Sequence, residues 1–206
     1  MSETTPVELV RPNFRAAFDP AQHLESVPTG GKVIGLYFRD VIDALLGAAP
    51  TNPRLAELVA VPYKPFRRYS ISDWLELLAL AAAEAHPDVP LREGLRRIGR
   101  SAYEAFIATM LGRTIFGIAG RDIDAAFKLG PKGFAAAYGG TNGGVRAEQP
   151  APHTWHYTFR SYPAYLDTYV IGVMEGVVAH FGKAAKFRHT PGIFFDGVIE
   201  MVWSEP

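Results

Sequence analysis

Apolar positions recur every three or four residues through the first part of the chain and every second residue near its end. These two periods predict amphipathic helices followed by half-buried strands. From Lys32 to Leu46, Ile34, Phe38, Val41, Ile42 and Leu45 share a face, and Gly47 stops the run. A loop with two prolines spans Ala49 to Arg54, and Leu55 to Val59 suits a short helix. A second strong helix begins near Ser70, where Ser70-x-x-Asp73 has the form of a capping box. Its apolar face is Trp74, Leu77, Leu78, Ala81, Ala82 and Ala85, and Pro87 and Pro90 end it. A third runs from about Leu91 to Leu111, with Leu95, Ile98, Ala102, Phe106 and Met110 inward. Further turns are predicted over Thr114 to Ala119, from an Asp122 cap to Lys128, and from Pro131 to Tyr138.

Gly139, Gly140, Gly143 and Gly144 then break the helical region. Val145 to Gln149 suits a strand. In His153 to Arg160 the alternation is clear: Trp155, Tyr157 and Phe159 face one way, Thr154, His156, Thr158 and Arg160 the other. Pro163 opens a predicted long helix to about Ala185. Phe187 to Thr190 and Ile193 to Trp203 form a hairpin about Pro191-Gly192. Ile193, Phe195, Ile199, Met201 and Trp203 share its inner face, with Asp196 and Glu200 opposite. The expected class is α+β: N-terminal helices packed on a C-terminal antiparallel sheet, with a long helix between strand pairs. Residues 1–27, punctuated by Pro6, Pro12 and Pro20, read as an irregular lead-in, and residues 28–206 as a single domain. Val7 and Leu9, alternating about Glu8, suit a short strand within the lead-in.

With 206 residues, the chain has enough length to bury a core. Its 21 basic and 21 acidic residues cancel, which argues against nucleic-acid binding through bulk charge. No cysteine is present, so disulfides, thiol nucleophiles and cysteine-held metals are excluded. The N-terminal residues lack the basic and apolar regions of a secretory signal. No run approaches the roughly 18 apolar residues of a membrane span. A cytoplasmic protein is expected.

The motifs that carry chemistry are sparse. Gly30-Gly31-Lys32 lacks the remaining glycine and the hydroxyl of a phosphate loop. His153 and His156, three apart on a strand, point to opposite faces and suit a shared metal poorly. No nucleophile elbow or dinucleotide fingerprint is present, Asp122 with Asp124 reads as capping and Asp196 with Glu200 as a solvated strand face, and neither catalytic residues nor a cofactor are expected. Arg92, Arg96, Arg97 and Arg100 crowd one side of the third helix. Such a face is either solvated beside Glu93 and Glu104 or available to an acidic protein partner. Gly172-x-x-x-Gly176 places two glycines on one face of the long helix, each costing about 1 kcal/mol relative to alanine, which implies a close neighbour. Tyr157, Phe159, Tyr162, Tyr165, Tyr169, Phe181, Phe187, Phe194, Phe195 and Trp203 cluster late in the chain. They read either as plain core or as the wall of an apolar cavity.

The segments KVIGLYFRDVIDALL (Lys32 to Leu46), YSISDWLELLAL (Tyr69 to Leu80), LREGLRRIGRSAYEAFIATMLG (Leu91 to Gly112), the stretch ending Ala136-Ala137-Tyr138-Gly139-Gly140, and YVIGVMEGV (Tyr169 to Val177) together resemble an uncharacterised bacterial family expanded in myxobacteria. That family is similar in fold to the ligand-binding domain of nitric-oxide signalling and Golgi transport, with haem-NO-binding, vinyl-reductase-type sensor and TRAPP-subunit relatives. The resemblance implies helices on an antiparallel sheet, an interior that takes haem, small apolar molecules or an acyl chain, and dimerisation through helices. The haem-binding pattern Y-x-S-x-R is not met by Tyr69-Ser70-Ile71-Ser72-Asp73, and the relatives' cysteines are missing. The expectation is therefore a non-enzymatic, homodimeric sensor of a small apolar ligand, with Phe38, Trp74, Phe106, Tyr157, Tyr165 and Tyr169 lining its cavity. The alternative is a ligand-free scaffold holding a protein partner on Arg92, Arg96, Arg97 and Arg100.

Overall fold

The computed structural model describes residues 7–45, 50–120, 122–139, 143–193 and 195–206, without the side chains of residues 44, 111, 115, 116, 118 and 119. The helix stop at Gly47, the break at Gly140 and the aromatic Phe194 lie outside the described residues.

Eight α-helices and seven strands are found among the described residues. The lead-in is not wholly irregular. Asp19 caps α1 (Pro20–Glu25) by accepting from the Ala21 amide, and proline fills the first helical position, where its missing N–H costs nothing. Val10 exchanges both backbone hydrogen bonds with His189, each 2.8 Å, so this segment is tied to the end of the chain.

The helix read from Lys32 begins later. Lys32–Ile34 is a strand, β1, between β2 (Arg68–Ser70) and β3 (Tyr138–Gly139), and α2 (Gly35–Ala44) follows. Helix α3 (Pro53–Val59) is capped by Asn52, and α4 (Ile71–Ala85) by Ser70, whose hydroxyl accepts from the Asp73 amide as the capping motif predicts. Helix α5 (Leu91–Ala108) is central and packs against α2, α4 and α8 (Ile171–His180). Helix α6 (Met110–Ala119) follows it.

Where two short helices are predicted, one continuous helix, α7 (Ile123–Ala137), runs through Pro131. Proline withholds the amide that would bond to the carbonyl of Phe127, four residues earlier. The Tyr157 hydroxyl donates to that carbonyl instead, so the helix crosses its proline with the freed acceptor satisfied. Asp122 caps this helix through the amides of Asp124 and Ala125. The Asp124 carboxylate accepts from the indoles of Trp155 (2.7 Å) and Trp203 (3.0 Å), pinning the helix start to the sheet.

The main sheet is antiparallel in the order β4 (Gly144–Ala151), β5 (Thr154–Arg160), β7 (Gly197–Ser204), β6 (Ala184–His189). Tyr157 pairs with Ile199 and Phe187 with Met201, so the alternating apolar faces of β5, β6 and β7 coincide. The predicted hairpin forms between β6 and β7, but its second strand begins at Gly197 rather than at Ile193. The long helix from Pro163 does not form as predicted: a π-helical turn over Leu166–Val170 precedes α8, closed by the Val170 amide donating to the Tyr165 carbonyl. The chain leaves the helix at His180 and is already a strand at Ala184.

The glycines of the GxxxG pattern have the close neighbour the sequence implies. A Cβ on Gly172 would lie 1.9 Å from the Arg96 carbonyl oxygen, and one on Gly176 would lie 2.7 Å from the Tyr103 ring. Reciprocally, a Cβ on Gly99 would lie 2.1 Å from the Tyr169 carbonyl oxygen. Helices α5 and α8 therefore cross backbone to backbone.

A candidate ligand cavity among helices and sheet

A cavity of about 380 Å³ lies among α2, α5, α7, the π-helical turn, α8 and the sheet. Ala102, Tyr103 and Phe106 come from α5; Val173, Met174 and Val177 come from α8. Residues from Ala126 to Ala137, including Phe134, form the α7 wall. Leu36, Tyr37 and Asp40 enter from α2, one helical turn apart, and Tyr138, Tyr157, Tyr162 and Tyr169 complete the lining.

Of the six residues expected to line a cavity, Phe106, Tyr157 and Tyr169 do so. The other three do not. Phe38 is fully buried and stacks on Tyr63 at 4.1 Å. Trp74 stands behind the wall, its ring edge-on to Tyr169 (5.4 Å) and Tyr138 (5.9 Å). Tyr165 points elsewhere: its hydroxyl donates to the Leu75 carbonyl at 3.1 Å and its ring meets Phe18 and His23. All three residues lie on periodic apolar faces, and such a face does not reveal which members reach a void.

Tyr37, Tyr138 and Asp40, which periodicity does not single out, join Tyr162 and Tyr169 in the polar part of the lining. Tyr37, Tyr138, Tyr162 and Tyr169 bring phenols to an otherwise apolar wall. Burial raises the pKa of each, with the Asp40 charge adding to the effect at Tyr37 and Tyr169. Asp40 is 4% exposed. Burial and the Asp43 carboxylate push its pKa up to about 7, against a smaller opposing pull from Arg39. One signal was available in the sequence: Asp40 is three and four residues after Tyr37 and Leu36, an acid on an apolar helix face.

The tyrosine that completes α7 also shapes the cavity. Gly130 leaves room for the Tyr157 hydroxyl, because a Cβ there would lie 2.7 Å from it. Tyr157→Phe should leave the Phe127 carbonyl buried without its donor. The expected cost is about 1–3 kcal/mol, measured as a fall in the urea midpoint at unchanged slope.

The arginine face is not a free solvated surface. Arg92 is buried, its Nη2 donating to Asp167 Oδ2 at 2.5 Å and its Nε to the Asn13 carbonyl at 2.9 Å. Arg96 bridges Glu93 and Glu175, and Arg97 bonds Glu93 at 2.9 Å. Among the four, Arg97 and Arg100 are exposed. Half of the face, Arg92 and Arg96, therefore turns inward, toward the π-helical turn and α8. His153 stacks on Trp203, whereas His156 pairs with Glu200 at 3.0 Å, so these two histidines do not converge. No group of three metal-ligating side chains gathers among the described residues, and none of their helices is long and apolar enough to cross a membrane.

The family model described as "Protein of unknown function (DUF2378)" matches residues 27–190. No curated protein matches the sequence. Among solved structures, the chain is similar to an oxygen-binding H-NOX domain related to soluble guanylate cyclases, at 16% identity and TM-score 0.63 over 84% of this chain and 93% of that one. It is similar to an H-NOX protein from S. oneidensis in the Fe(II)NO ligation state, at 11% identity and TM-score 0.64 over 84% and 99%. A T. tengcongensis H-NOX mutant aligns at 16% identity and TM-score 0.61 over 84% and 96%. At these identities the likeness is one of fold.

The donor set of the cavity does not suit haem. Protein ligands to haem iron are His, Cys thiolate, Met with His, or Tyr. No histidine lines this cavity among the described residues, the chain has no cysteine, and burial holds the lining tyrosines as phenols. The described lining includes one cation, Lys132, where two haem propionates would need neutralising.

Proposed function

This chain belongs to the DUF2378 family and has the H-NOX fold, and from that premise we propose that it is a non-catalytic sensory domain that binds a small, mainly apolar molecule inside the helix–sheet cavity. The observation that supports this reading most is the cavity itself. At about 380 Å³ it falls within the size range of small-molecule sites. Its wall is aromatic and aliphatic, with a few convergent polar groups at one end. A folded protein rarely leaves that much apolar space unfilled, because each void forfeits dispersion contacts on every side. The reading also takes the protein as a cytoplasmic homodimer that reports ligand occupancy to a partner.

Native followed by denaturing mass spectrometry of the purified protein tests both parts. A dimeric mass that releases a defined organic molecule supports the reading; a monomer overturns the dimer. For the cavity, a neutral apolar fluorophore such as N-phenyl-naphthylamine serves as probe. Val173→Trp places an indole into the α8 wall and should weaken probe binding by at least about tenfold, or 1.4 kcal/mol, while the circular dichroism stays native. Unchanged probe affinity in a folded Val173→Trp variant would remove the cavity as the binding site.

A further inference from the structure

Asp40 is out of place in an apolar wall. Its residue is 4% exposed, it lines the cavity, and no hydrogen bond among the described residues supports its carboxylate. Around the same cavity stand Tyr37, Tyr138, Tyr162 and Tyr169, four electron-rich rings. Their mutual arrangement is compact: Tyr138 lies 4.3 Å from Tyr162 and 6.0 Å from Tyr37, centroid to centroid. Trp74 backs Tyr138 and Tyr169. Aromatic faces beside one carboxylate are the chemistry that recognises an organic cation, through attraction to the ring quadrupoles and a charge pair at low dielectric. The rest of the lining, Phe106, Phe134, Val173 and Val177, suits an alkyl or aryl body.

Resting on the cavity reading above, we propose that the ligand is an amphipathic amine, its ammonium group held by Asp40 within the tyrosine cluster and its apolar body lying between α5, α7 and α8. The site selects against anions at the same place. A ligand carboxylate there would meet Asp40 as a like charge, and the described lining offers one cation, Lys132, which is solvent-exposed on α7. An acid could enter only head-outward. Other charges near Asp40 are Arg39 and Asp43 on its own helix, and the phenols of Tyr37 and Tyr169 stay neutral across the physiological range. Ammonium binding requires the ionised form of Asp40, so affinity should rise with pH until that group is fully ionised.

Three probes of equal chain length separate the possibilities: octylammonium, octanoate and octanol, titrated calorimetrically against wild type and Asp40→Asn at pH 6 and pH 8. An alkylammonium, like that of lysine, titrates near ~10.4 and keeps its charge at both values. The expected result is octylammonium binding about tenfold or more tighter than octanol at pH 8. That advantage should shrink roughly tenfold at pH 6 and largely vanish in Asp40→Asn, while octanol binding stays within about twofold in the variant. Octanol or octanoate binding as tightly as octylammonium at pH 8, or an ammonium preference untouched by Asp40→Asn, would overturn the amine assignment and leave the cavity reading standing. If none of the three probes nor N-phenyl-naphthylamine binds, the cavity reading itself fails and the amine assignment with it.

Discussion

Gly172→Ala is expected to destabilise the protein by about 2–3 kcal/mol, lowering the thermal midpoint by roughly 5–10 °C for a chain of this size. The sign is the reverse of helix propensity, by which alanine gains about 1 kcal/mol over glycine. Propensity loses because the new methyl carbon would sit 1.9 Å from the Arg96 carbonyl oxygen and 3.1 Å from the Arg100 amide nitrogen. Both are backbone atoms, so no rotamer change can relieve the overlap, and α5 and α8 must separate. Separation would in turn loosen the reciprocal contact of Gly99 with the Tyr169 carbonyl. Gly117→Ala in α6 is the control. Nothing lies within 4 Å of a Cβ at that exposed position, so propensity alone should act and stability should rise by up to about 1 kcal/mol. Melting curves in which Gly172→Ala matches wild type would refute the backbone-to-backbone crossing.

Asp40→Asn is expected to stabilise the ligand-free protein, on the order of 2–4 kcal/mol at pH 8. The folded pKa of Asp40 is raised from the ordinary 3.8 to about 7, chiefly by burial. Between those two values the folded state binds a proton that the unfolded state has lost. Stability from this group is therefore undiminished in acid, falls as pH rises through the window, and is lost above about 7. A carboxyl that titrates at about 7 rather than at 3.8 corresponds to roughly 4 kcal/mol; the cost of burying the replacement amide reduces the gain. At pH 5 only about 1–2 kcal/mol should remain, and none below pH 3.8. His23 and His189, both held below the ordinary histidine range by burial, act in the opposite sense: their neutral forms lose stability as pH falls below about 6.5. Urea titrations of variant and wild type at each pH subtract that contribution. A stability difference that does not change between pH 5 and pH 8 would contradict the buried-carboxylate argument. A variant that is more stable yet binds octylammonium more weakly would show that Asp40 serves the ligand rather than the fold.

What could be read in the chain was local. The 3.6-residue period placed the faces of α4 and α5, the two-residue period placed β5, and Ser70 and Asp122 capped as their positions suggested. What could not be read depended on partners far away in sequence. Lys32–Ile34 fits a helical stripe but is drawn into a sheet by strands at Arg68 and Tyr138. Arg92 fits a solvated arginine face, yet its carboxylate partner lies 75 residues on, in a π-helical turn that shifts the phase of everything after it. Pro131 looks like a helix start until Tyr157 supplies the hydrogen bond that lets the helix pass through it. The cavity was half legible for the same reason. Aromatic content pointed to Phe106, Tyr157 and Tyr169, whereas Phe38, Trp74 and Tyr165 carry the same chemistry in solid core. Tyr37 and Asp40 flank the stripe of Ile34, Phe38, Val41, Ile42 and Leu45 on α2, where periodicity alone does not mark a cavity wall.

The glycine-lined crossing also decides how the chamber can breathe. Its α5 and α8 walls are held at backbone distance and cannot part without losing carbonyl-to-glycine contacts along their length. The opposite wall, α7, carries Pro131 at its middle and exposed Gly133 with open space where a Cβ would stand, and is hydrogen-bonded to the sheet by Asp124 at one end and through Tyr157 at its centre. The chamber thus has a stiff jaw and a compliant one. A guest too large for the resting volume would enter by deflecting α7, and the first part of the protein to feel its arrival would be the two indoles and the edge strand β4 against which that helix rests.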